Sequence, residues 1–192
     1  MKINTKQLVT MAMLAAISII VVYLVRFPLF LPFLEYDMAD VPILIGTFLF
    51  GPISGLVLTV VVSLIQAVTV SAGSGWIGAV MHIFATGAYV LVAGAIYRKF
   101  STRTGAIVGL LLGTLAMTAI MVQLNLILTV RFLNVPREAV VAMIVPYIIP
   151  FNLIKAGANG AITFSVYKSV ARVLRLQTLE SKTQKTVPTF PA

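Results

Sequence analysis

Apolar stretches long enough to cross a bilayer recur along almost the whole chain, and no other feature constrains its fold as strongly. A spanning helix needs roughly 20 apolar residues. The first stretch runs from Gln7 to Val25. The next, Val41 to Val70, is interrupted by Gly51-Pro52. Proline disfavours helix in the residue before it, so this stretch predicts a short second helix over Ala39–Phe50 and a third over Ile53–Val70. Ser71–Gly75 reads as a turn. A fourth helix is expected over Trp76–Tyr97 and a fifth over Gly105–Val130, with a basic loop, Arg98–Arg103, between them. Arg131–Val145 reads as a connection whose apolar part suits a surface helix. The sixth helix starts between Pro146 and Pro150, where proline fits a first helical turn, and runs to Val173. The expected fold is an all-α membrane protein, a bundle of six transmembrane helices over residues 1–176. A polar tail, 177–192, follows it and is expected to be disordered.

Composition agrees. Of the 192 residues 60% are hydrophobic and 10% charged, against about 25% charged in a typical soluble domain. The net charge of +9 would suggest nucleic acid in a soluble protein. Here its placement explains it. With the N-terminus inside, Lys2, Lys6, Arg98, Lys99, Arg103, Lys168, Arg172, Arg175, Lys182 and Lys185 are cytoplasmic, ten in all. Only Arg26, Arg131 and Arg137 fall outside, and Lys155 lies within a helix. Glu35, Asp37, Asp40 and Glu138 fall outside, and Glu180 inside. This is a positive-inside bias. It puts both termini in the cytoplasm.

Polar residues inside the spans carry the functional signal. Asn152, Lys155, Asn159 and Thr163 share one face of the sixth helix. A lysine in a span costs on the order of 3 kcal/mol on insertion scales and usually meets a partner or a cavity. The competing reading is that Lys155 snorkels to the headgroups. Thr59, Ser63 and Gln66 form a face on the third helix, His82, Thr86 and Tyr89 one on the fourth, and Asn125 and Thr129 one on the fifth. Each alone fits ordinary interhelical hydrogen bonding. Together, Gln66, Asn125, Asn152 and Lys155 suggest a polar pocket open to the outside, rich in amides and poor in acids.

Catalytic readings find little support. No carboxylate is expected firmly inside a span, so no acid–base pair is available there. The single histidine, His82, excludes a multi-histidine metal site, and the absence of cysteine excludes a thiolate site or nucleophile. The sequence contains no G-x-x-x-x-G-K-[ST] phosphate loop, so a transporter of this kind draws its energy from another subunit. Small residues mark close helix approach: Ala12 and Ala16 on the first helix, and Gly105, Gly109 and Gly113 on the fifth. For the glycines packing within the bundle is expected, and for the alanines a partner.

Several motifs, in order, resemble the substrate-binding S components of energy-coupling factor (ECF) vitamin transporters, and most of all the riboflavin-specific type. They are the Ala12/Ala16 pair, the loop Pro32-Phe-Leu-Glu-Tyr-Asp-Met-Ala-Asp-Val-Pro42, Gly46-Thr-Phe-Leu-Phe-Gly-Pro52, Gly78-Ala-Val-Met-His-Ile-Phe-Ala-Thr-Gly87 and Asn152-Leu-Ile-Lys155. The resemblance covers nearly the whole chain except the tail. It implies a multi-pass protein of the bacterial cell membrane. Riboflavin would be cargo rather than cofactor, bound near the outer surface beneath the first outer loop. It further implies a transmembrane coupling subunit, docked on the Ala12/Ala16 face, and two ATPase subunits. Candidate ligand contacts are Asn152, Lys155, Asn125 and Gln66 from the helices and Glu35, Tyr36, Asp37 and Asp40 from the loop. Phe27, Phe30, Leu31, Phe33, Leu34 and Tyr36 could cover a flavin ring, or anchor at the interface as aromatics often do. An S component for another vitamin or nucleobase-like solute, or a membrane protein without transport function, remains the alternative at this stage.

Overall fold

The computed structural model describes the backbone of residues 5–186, with side chains through residue 170 and at Arg172. Lys2, the side chains of Arg175, Glu180, Lys182 and Lys185, and residues 187–192 lie outside the described residues. The helices are α1 (Thr5–Leu24), α2 (Asp40–Phe50), α3 (Pro52–Val68), α4 (Gly75–Lys99), α5 (Arg103–Leu124), α6 (Val130–Leu133), α7 (Arg137–Met143) and α8 (Ile149–Thr186). π-helical turns, Asn125–Thr129 and Ile144–Ile148, join α5 to α6 and α7 to α8. Four helical runs are long and apolar enough to cross a membrane: Thr5–Leu24, Gly75–Lys99, Arg103–Leu133 and Arg137–Val170. Two shorter apolar helices, Asp40–Phe50 and Pro52–Val68, complete the set. Among the described residues the chain is an all-helical membrane protein apart from one short hairpin.

That hairpin is a local addition the sequence reading did not foresee within an otherwise all-α protein. The loop after α1 forms two antiparallel strands, β1 (Arg26–Leu29) and β2 (Leu31–Asp37), with Arg26 opposite Asp37 and Phe27 opposite Tyr36. Phe30 at the tip has φ 67°, a left-handed conformation uncommon for a bulky residue.

The break between α2 and α3 sits where the sequence puts it. Gly51 takes φ 97°, open to glycine at no steric cost, and Pro52 opens α3. The glycine row on α5 serves internal packing. A Cβ on Gly109 would lie 2.9 Å from the Ala93 carbonyl oxygen, and one on Gly113 would lie 2.4 Å from the Tyr89 ring. Small residues thus bring α5 against α4 at close range. Ala12 and Ala16 differ, being exposed on α1 beside exposed Leu8, Val9, Met13, Ile17 and Ile20.

At its C-terminal end α8 runs on to Thr186. Residues 177–186 contain no proline or glycine, and the next proline is Pro188. Nothing local stops a helix already propagated from the apolar segment.

Candidate functional site: a polar cavity beneath the hairpin

Polar groups meet in one place, between the hairpin and the helices below it. A cavity there holds about 940 Å³ of free space, its open mouth included. Arg26, Phe33, Leu34, Glu35 and Asp37 line it from the hairpin, Ser63 and Gln66 from α3, and Met81 and His82 from α4. Met117, Met121, Asn125 and Thr129 line it from α5 and its π-helical turn, and Phe151, Asn152 and Lys155 from α8. Its largely apolar wall with a few convergent polar groups suits a small organic molecule.

The face read on α8 is the backbone of this site. Asn152, Asn159 and Thr163 are 0% exposed and Lys155 7%. Snorkelling is therefore not what Lys155 does. Its Nζ lies 2.6 Å from Asp37 Oδ2. Asn159 Nδ2 donates to the Asp37 carbonyl at 3.0 Å and to Asp40 Oδ2 at 3.1 Å. The Tyr36 hydroxyl donates to Asn159 Oδ1 at 3.1 Å. Two residues of α8 thus tie down the end of β2. Asp37 Oδ1 also accepts from the Ala39 amide at 3.0 Å, which turns the chain into α2. At the other strand, Arg26 pairs with Glu35 and donates to the Val70 carbonyl. Burial first, and then the Asp37 charge, push the Tyr36 phenol above its usual value. It therefore remains a donor.

The expectation of an acid-poor core is overturned. Asp40, counted among the outside acids although it falls at the start of the expected second helix, is the first residue of α2 and 0% exposed. Its Oδ1 accepts from Thr86 Oγ1 at 2.8 Å and lies 3.4 Å from His82 Nε2. His82 Nδ1 lies 2.7 Å from Ser63 Oγ. Ser63, His82 and Asp40 thus form a row that contains the residue types of a hydrolytic triad. Ser63 Oγ also lies 2.6 Å from the Thr59 carbonyl one turn back, and that carbonyl competes with the imidazole for the single hydroxyl proton a triad would need.

Six of the eight candidate contacts line the cavity: Asn152, Lys155, Asn125, Gln66, Glu35 and Asp37. Tyr36 and Asp40 stand behind it and hold its wall. Asn125 is satisfied locally, with Nδ2 donating to the Met121 carbonyl and Oδ1 accepting from Thr129. Asn152 is satisfied on one side only. Its Nδ2 donates to the Ile148 carbonyl at 2.8 Å, whereas its Oδ1, like Gln66 Nε2, has no partner among the described residues. Sequence reasoning missed Ser63 and His82 as members of the site and treated Arg26 only as an outside charge. A signal for His82 was present: His82 and Thr86 are one turn apart on α4, and both approach Asp40.

The family profile described as ECF transporter, substrate-specific component, matches residues 6–167. The riboflavin transporter RibU of Staphylococcus aureus (strain TCH60) is 33% identical over 185 residues, 90% of this chain and 94% of that protein. The riboflavin transporter FmnP of Bacillus subtilis (strain 168) is 31% identical over 172 residues, 85% of this chain and 90% of that protein. A solved S component of a bacterial ECF transporter superposes with a TM-score of 0.76 at 32% identity, covering 88% of this chain and 97% of that one. With the profile spanning most of the sequence and the fold shared along its length, the chain belongs to the substrate-specific components of ECF transporters.

Proposed function

We propose that this chain captures riboflavin from outside the cell and releases it inside when joined to a transmembrane coupling subunit and two ATPase subunits. One observation carries the reading. A buried acceptor, Asn152 Oδ1, and a buried donor, Gln66 Nε2, stand unpaired on α8 and α3 in the same cavity. Buried polar groups are normally hydrogen-bonded, so each calls for a partner. A flavin's urea-like edge offers both a donor and acceptors, and amides complement both. The names of the relatives, riboflavin transporters at about 30% identity, point the same way.

In this proposal Asn152, Lys155, Asn125 and Gln66 face the vitamin, Glu35 and Asp37 shape the hairpin over it, and Tyr36 and Asp40 brace the wall. Asn152 accepts from the ring imide. Lys155 holds Asp37 while its remaining protons face the cavity. The protein makes six crossings of the cell membrane, with the short α2 and α3 counted among them and both termini cytoplasmic. The exposed small-residue face of α1 around Ala12 and Ala16 supports docking of the coupling subunit there. The chain works as a binding subunit, without catalysis of its own.

Site-directed change tests the assignment. Asn152→Ala and Lys155→Ala should each weaken riboflavin binding, because each leaves buried ligand atoms unmatched at about 1–3 kcal/mol. That is roughly a five- to two-hundred-fold loss. Lys182→Ala, in the tail, should change nothing. Unchanged affinity in Asn152→Ala would remove the central contact and with it this placement of the ring.

A further inference from the structure

Residues 27–34 read Phe-Pro-Leu-Phe-Leu-Pro-Phe-Leu, a run without one polar side chain, and they make up the tip of the β1–β2 hairpin. Turns that face water are built mostly from glycine, proline, asparagine, aspartate and serine. Other connections in this chain keep to that pattern. Ser71-Ala-Gly-Ser-Gly75 leads from α3 into α4, and Asn134 stands between α6 and α7. Asn134 takes a left-handed φ of 52°, which asparagine tolerates. The hairpin places Phe30 in the same region, at φ 67°, where a bulky side chain is out of place. An apolar residue at that strained position needs apolar surroundings, and water does not supply them.

The protein does not supply them either. Phe27 is 47% exposed and Phe30 51%, and Pro28 and Pro32 are exposed beside them. The hairpin's other side is occupied. Leu34 and Tyr36 are buried with Phe151 of α8, Ala158 packs against that cluster, and Phe33, Leu34 and Glu35 line the cavity. This seat lies on a helical run long and apolar enough to cross a membrane. Ala158 is about 14 Å along α8 from Ile149, which is within a hydrocarbon core about 30 Å thick. Leu153 and Ile154, on the same stretch of α8, are exposed and face lipid. The backbone is suited to such surroundings as well. Unpaired N–H groups are costly in lipid, and Pro28 and Pro32, one in each strand, carry no N–H.

We propose that the hairpin tip is a membrane-binding element. Phe27, Pro28, Phe30 and Pro32 sink between the headgroups and upper acyl chains of the phospholipid leaflet on the side where the cavity opens. The hairpin then has two working sides, one towards the cavity and one towards lipid. Its charged residues, Arg26, Glu35 and Asp37, all stand at its base, where Arg26 pairs with Glu35 and Asp37 with Lys155. The tip carries no charge that would hold it in water. Exposed Tyr23 at the end of α1 and Trp76 at the start of α4 are of the type that gathers at this interface.

The chain has one tryptophan, Trp76, so Phe30→Trp combined with Trp76→Phe leaves a single fluorescent reporter at the tip. The full chain, free of vitamin, is reconstituted into phosphatidylcholine vesicles with or without bromine on the upper acyl chains. Iodide, equilibrated on both sides, is the quencher from water. The reporter should lose most of its emission in the brominated vesicles and little to iodide. Phe27→Trp with Trp76→Phe reads a second point and decides the matter if the first variant does not fold. Strong quenching by iodide with none by brominated lipid would place the tip in water and overturn the proposal. Protection from both quenchers would show that protein covers the tip, a second copy of the chain included, and would overturn it too. No step uses bound riboflavin, so the result is independent of the cargo assignment.

Discussion

Removing Lys155 is the sharpest perturbation of this site. Lys155→Met keeps an unbranched side chain of similar volume, so packing survives while the charge is lost. Its partner is Asp37, at 2.6 Å, and the two side chains are 9% and 13% exposed. Breaking a buried pair by deleting one member costs about 3–5 kcal/mol, because the other charge is left uncompensated. Asp37 keeps its bond from the Ala39 amide and a little solvent, so the lower end applies, about 3 kcal/mol. For a chain of this size that corresponds to a fall in Tm of roughly 6–12 °C. The assay is thermal unfolding of the detergent-purified protein, followed by circular dichroism. Adding Asp37→Asn should restore part of the loss, since it removes the stranded charge. A shift of less than about 1 °C in Lys155→Met would refute the argument, as would simple additivity of the two substitutions.

Other consequences follow from the same contacts. Tyr36→Phe removes the bond to Asn159 Oδ1 and should cost about 1 kcal/mol, read as faster protease cleavage in the hairpin. Because burial and Asp37 raise the Tyr36 phenol above its ordinary value, its contribution is complete below about pH 10. It is lost as pH rises through the folded-state value; Tyr36→Phe should remove that alkaline step. Ala12→Trp or Ala16→Trp should leave riboflavin binding by the isolated chain intact and abolish uptake, by blocking close helix approach. Loss of binding would instead show that this face packs internally. A reporter fused after Ala192 should be cytoplasmic and one inserted at Ser74 external, and the reverse result would reject the six-crossing arrangement.

What the sequence made legible was what one helix period can carry. Asn152, Lys155, Asn159 and Thr163 fall on one face by spacing, and all are buried. The α2–α3 break was readable because Gly51-Pro52 is a local signal with a local cause. The hairpin was not, because two short strands depend on pairing between Arg26–Leu29 and Leu31–Asp37 and on their anchorage to α8. Contacts of long sequence separation were also hidden. Lys155 meets Asp37 across 118 residues, and Asn159 meets Asp40 across 119. Asp40 was counted with the outside acids because it stands at the outer end of the expected second helix, next to the loop acids Glu35 and Asp37. The hairpin's pinned end turns it inward at the start of α2, where Thr86, His82 and Asn159 converge.

The central claim is that this cavity takes riboflavin. Its most direct test is equilibrium titration of riboflavin fluorescence against the purified, detergent-solubilised protein, with other water-soluble vitamins as competitors. Protein from cells should be yellow. Once stripped of ligand, it should quench flavin emission to a sharp end point at one riboflavin per chain, with the other vitamins failing to reverse it. A colourless, folded protein that leaves flavin emission unchanged while binding another vitamin would contradict the account.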